Sequence, residues 1–94
     1  MLYRINIMGT VSKDNKKLIF SSDVERSTDG EEWTLVANFI DKFIVEMDDA
    51  TIRQHIIKRA NTLAEVDANR IEKTDLQARA TAIAEALDGQ TKEI

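Results

Sequence analysis

The chain has no cysteine, no proline, one histidine and only three glycines in 94 residues. Without cysteine there is no disulfide, zinc–thiolate site, thiol nucleophile or iron–sulfur cluster. A small secreted domain generally needs such staples, so a cytoplasmic setting is expected. The lack of proline and scarcity of glycine exclude a collagen-like, Pro-rich or low-complexity chain. Uncharged runs are short as well, the longest being the eight residues of Ile5–Ser12 and of Trp33–Ile40. That is far below a membrane-spanning helix, and no membrane partner is expected. The start, Met1-Leu2-Tyr3-Arg4-Ile5-Asn6, lacks the basic region and apolar run of a signal peptide.

Charge of one sign is also missing in bulk. The net charge is −4, and acids and bases are spread over both halves. Arg53, Lys58, Arg59 and Arg70 are the densest basic group, but at helical spacing they do not form one stripe. No aromatic lies among them. Direct nucleic-acid binding, which needs a clustered basic face, is therefore not expected.

What is present points to one α+β domain spanning 1–94. Tyr3, Ile5 and Ile7 alternate with polar or exposed positions, and Leu18, Phe20, Ser22 and Val24 alternate again after the polar segment Ser12–Lys16. Two period-2 runs joined by a short polar loop predict a β-hairpin over 1–26. Gly9 inside the first run suggests a bulge or a close backbone approach. Thr28/Glu31 and Asp29/Glu32 have capping-box spacing. Behind them Trp33, Val36, Ala37, Ile40, Phe43, Ile44 and Met47 fall on one helical arc, so a helix is expected over 29–47, with a third strand as the rival reading. Asp48-Asp49 then caps a second helix, 49–66, carrying Ile52, Ile56, Ile57, Ala60, Leu63, Ala64 and Val66 on its arc. Thr74-Asp75-Leu76-Gln77 caps a third, 74–88, with Leu76, Ala80, Ile83, Ala84 and Leu87 on a narrow stripe. Gly89 serves as its left-handed stop. Residues 67–73 either break or continue the last two helices, and 90–94 form a frayed tail. The expected architecture is a β-hairpin followed by three helices around a single small core.

No group of residues forms a catalytic or cofactor constellation. His55 has no second histidine or cysteine to complete a metal site or a nucleophile–base pair. Asp48-Asp49 and Asp29-Gly30-Glu31-Glu32 are carboxylate pairs, but helix capping accounts for them and no calcium-loop pattern surrounds them. Gly9, Gly30 and Gly89 are too far apart to cradle a phosphate. No catalytic residue, metal ligand or cofactor is therefore assigned.

Three residues stand out as candidate interface positions. On a helix over 29–47, Leu35 and Phe39 project together, almost opposite the main apolar arc, so they form either a second covered side or an exposed docking patch. Arg59 projects into the apolar arc of its own helix, either snorkelling or serving as an interface arginine. The alanines at 78, 80, 82, 84 and 86 would let another helix approach closely. The expectation is a small acidic, non-enzymatic module that binds another protein as an adaptor or inhibitor. The alternative is a structural homo-oligomeric subunit, and a nucleic-acid-associated regulator is a third reading. A lone hairpin leaves open edges that either helices cover or a second chain extends, so homodimerisation is a reasonable expectation. In size, acidity and lack of cysteine the chain resembles phage-encoded accessory proteins, a likeness of character that assigns no residue a role.

Overall fold

The computed structural model, which describes residues 1–90, has the element order β1 (Leu2–Val11), β2 (Lys17–Ser27), β3 (Thr34–Ile44) and α1 (Asp49–Leu87). The three strands form one antiparallel sheet in the order β1-β2-β3. This corrects the expected hairpin and three helices. The residues 29–47 form a loop and a third strand, and the two later helices are one.

The hairpin forms where alternation predicts it, with register from Leu2↔Ser27 to Val11↔Leu18. Its turn is held by side chains. The Ser12 hydroxyl accepts from the backbone of Lys16 and Lys17, and the Asp14 carboxylate accepts from the Ser12 hydroxyl. Asn15 takes the left-handed conformation (φ 60°), which asparagine tolerates better than most residues. A Cβ on Gly9 would sit 3.0 Å from the Phe20 ring. Gly9 thus lets a core aromatic lie against the backbone of β1.

The capping chemistry read before residue 33 is real, but it closes a turn. The Asp29 carboxylate accepts from the backbone of Glu31 and Glu32. The Ser27 hydroxyl accepts from Gly30, whose φ is +81°. An aspartate offers a turn the same acceptor that it offers a helix start. The segment behind it pairs with β2 as β3, from Arg26↔Thr34 to Lys17↔Ile44, with a bulge at Val24/Glu25 that leaves Val36 as the extra residue.

Asp48 caps α1 as expected, accepting from the Thr51 backbone at 3.2 Å. From there to Asp88 the chain contains neither glycine nor proline, so nothing breaks the helix. Thr74, expected to cap a new helix, donates its hydroxyl back to the Arg70 carbonyl at 2.9 Å. Gly89, at φ +73°, follows the helix as the left-handed stop. Of the expected tail 90–94, all but Gln90 lies outside the described residues.

The first half of α1 lies across the sheet. Ile52, Ile56 and Ala60 join Val24, Phe39 and Phe43 in the buried core, with Tyr3, Ile5, Leu18 and Phe20 packed around it. Ile71 is the last half-buried residue, and every position from Glu72 to Leu87 is exposed. Those sixteen residues extend about 24 Å beyond the sheet at 1.5 Å per residue. The molecule measures 81 × 26 × 22 Å. A compact monomer of this mass exposes about 5,500 Å², whereas this chain exposes 7673 Å², about 2,200 Å² more.

Candidate interaction surface

Two charged clusters fix α1 to the sheet. At the far end of the contact, Asp67 is 4% exposed. It accepts from the Tyr3 hydroxyl at 2.7 Å, from the Arg26 guanidinium at 2.8 and 2.9 Å, and from Arg70 at 2.7 Å. Burial alone would raise its pKa. The hydrogen bonds from Tyr3 and Arg26, the Arg26 charge and the Arg70 bond outweigh burial and lower it below the ordinary carboxylate range. The Tyr3 hydroxyl moves the other way, pushed up by burial and by its bond to Asp67. This cluster is the last attachment of α1 before it leaves the sheet.

Near the middle of the contact, Asp41 on β3 is buried and accepts from the Arg59 guanidinium at 2.5 Å. The same guanidinium lies 4.8 Å over the Phe39 ring. His55 approaches Asp41 at 4.0 Å and meets Phe43 edge-on at 5.2 Å. Both the charge and the planar face of Arg59 are thus engaged within the chain.

Leu35 and Phe39 do not come together. Phe39 points at α1 and is buried; Leu35 lies on the outer face and is 55% exposed. Residues four apart on a regular strand share a face, but the extra residue Val36 turns Leu35 over. Leu35 pairs with Glu25, whose carboxylate bonds Arg4 on that outer face. The expected shared patch is therefore replaced by one core residue and one surface residue.

Three apolar surfaces are exposed. The outer face of the sheet carries Met8, Leu35, Ile40 and Ile44. A groove of about 560 Å³ runs between β1 and the start of α1, lined among others by Ile5, Ile7, Phe20, Ile52 and Ile57. The third is the projecting half of α1, where Leu76, Ile83 and Leu87 are each more than half exposed. The narrow stripe they share with Ala80 was visible in the sequence. Its freedom from the rest of the fold was not, because a capped third helix folded back on the core would show the same spacing.

Among the described residues, no three histidine, aspartate or glutamate side chains converge as metal ligands. No helix among them is long and apolar enough to cross a membrane. Compared with protein-family models, curated proteins and solved structures, the chain has no significant match.

Proposed function

We propose that the chain is a non-enzymatic, cytoplasmic protein-interaction module that acts by presenting the projecting half of α1 to a partner helix. The observation that carries this reading is the row of Leu76, Ile83 and Leu87, exposed on the part of α1 that extends beyond the sheet. A helix in water gains nothing by keeping large apolar residues on one side unless something covers them.

The test is the double variant Leu76→Asp with Ile83→Asp. Both positions lie beyond the last residue that touches the core, so its unfolding free energy should stay within about 1 kcal/mol of the parent. Its association with any partner, measured by light scattering and by co-purification, should be lost. A variant that unfolds the sheet, or one whose associations equal those of the parent, overturns the reading.

A further inference from the structure

Resting on that reading, we propose that the occupant of the exposed stripe is a second copy of this chain, docked antiparallel as a two-stranded coiled coil. The large apolar residues of the projecting helix fall on a seven-residue repeat whose core positions also include two polar side chains, Asn69 and Lys73. Val66, Lys73, Ala80 and Leu87 occupy one core position of the heptad, and Asn69, Leu76 and Ile83 the other. At 100° per residue this seam lies roughly 150° round the helix from Ile56, Ala60 and Asp67, which face the sheet. A second helix on the seam therefore meets no strand.

The charges beside the seam select direction and register. Glu65, Glu72, Arg79 and Ala86 flank it on one side; Arg70, Gln77 and Ala84 flank it on the other. In a parallel pair, Lys73 would stack on its own copy in the core. The only opposite-charge flanking contact would be Glu65 with Arg70, and Arg70 is already bonded to Asp67 at 2.7 Å. In an antiparallel pair, like flanks meet. One register sets Glu72 against Arg79 of the other copy, twice by symmetry. It layers Val66 on Ile83, Lys73 on Leu76, and Asn69 on Ala80. Sliding one heptad one way opposes Arg79 to Arg79; sliding the other way pairs Glu65 with Arg79 but sets Glu72 against Glu72 at the centre. Neither Glu72 nor Arg79 has an ion-pair partner within the described residues.

The area agrees. Each chain exposes about 2,200 Å² beyond a compact monomer of its mass, and a specific interface buries about 1,200–2,000 Å² in total. Two projecting helices in contact therefore have the surface a stable dimer needs.

The 94-residue chain at about 100 µM should scatter light as a particle of twice 10.7 kDa. Direction is read by disulfide trapping, which the absence of native cysteine makes clean. Val66→Cys and Ile83→Cys, oxidised separately, should remain unlinked, because like positions lie about 25 Å apart along the antiparallel pair. Mixed, they should form a covalent dimer of one with the other. Glu72→Arg should weaken the dimer about tenfold, and adding Arg79→Glu should restore it. Efficient self-linking of either single variant would show a parallel pair and overturn the proposal. So would a monomeric parent chain. If that monomer still lost a different partner on Leu76→Asp with Ile83→Asp, the docking role of the helix would stand and the second-copy assignment alone would fall.

Discussion

Phe39→Ala is expected to destabilise the fold by about 3–5 kcal/mol, the usual cost of emptying a buried aromatic site. Three features of the site place the cost there. Phe39 is 6% exposed and packs in the core with Val24, Ile52 and Ile56. The core is small, so the neighbours have few other groups with which to close a cavity. The ring also supports the Arg59 guanidinium that pairs with Asp41, and its removal loosens a buried carboxylate that has one oxygen without a hydrogen-bond partner among the described residues. Native stabilities of small domains lie near 5–15 kcal/mol, so a large share of the fold is at stake. Urea unfolding followed by Trp33 fluorescence measures it. Leu35→Ala in the same assay should change stability by less than about 1 kcal/mol, because that side chain is over half exposed on the opposite face. Equal losses for the two variants would contradict the bulge that separates them.

That contrast also marks what sequence reasoning could reach. The hairpin was legible because Tyr3, Ile5, Leu18, Phe20 and Val24 alternate within each strand, a local pattern with a local cause. Asp48 was legible as a cap because its partner, Thr51, is three residues away. β3 was not. Phe39, Asp41 and Phe43 do alternate inward, but the irregular position at Val36 interrupts the alternation and lets a 3.6-residue arc fit the same apolar residues. The strand is decided by pairing with β2, a long-range contact that no window of sequence displays. Asp29 misled for a related reason, since turn and helix start use the same carboxylate-to-backbone bonds. Helix continuity through 67–73 was open because Thr74 and Gln77 have cap spacing. The absence of any glycine or proline between Asp48 and Gly89 was the better guide. Arg59 could be placed on the helix from sequence, but its partner Asp41 lies 18 residues away on a strand whose apolar residues also fit a helical arc.

Asp67 is the other position where a single change should have a large effect, and its signature is pH dependence. Asp67→Asn keeps the size of the side chain but replaces one acceptor oxygen by a donor. The carboxylate serves Tyr3, Arg26 and Arg70 at once, so an amide there faces three donors with a single acceptor oxygen. Breaking a buried ion pair by removing one partner costs about 3–5 kcal/mol. Arg26 is partly exposed and Arg70 largely so, which reduces the cost here to about 2–4 kcal/mol. The sign with pH follows from the lowered carboxyl pKa. In the unfolded chain the group titrates in the ordinary carboxylate range; in the folded chain it holds its charge to lower pH. Its contribution to stability is therefore complete above that ordinary range and is lost as pH falls through the folded value. Asp14, Asp29 and Asp48 are lowered too, and they destabilise both proteins in acid alike. The difference between parent and variant isolates Asp67: constant from about pH 6 to 8, shrinking below about pH 4. Urea titrations across that range provide the measurement. A difference that stayed flat into acid would show that the Asp67 charge adds nothing to the junction between sheet and helix.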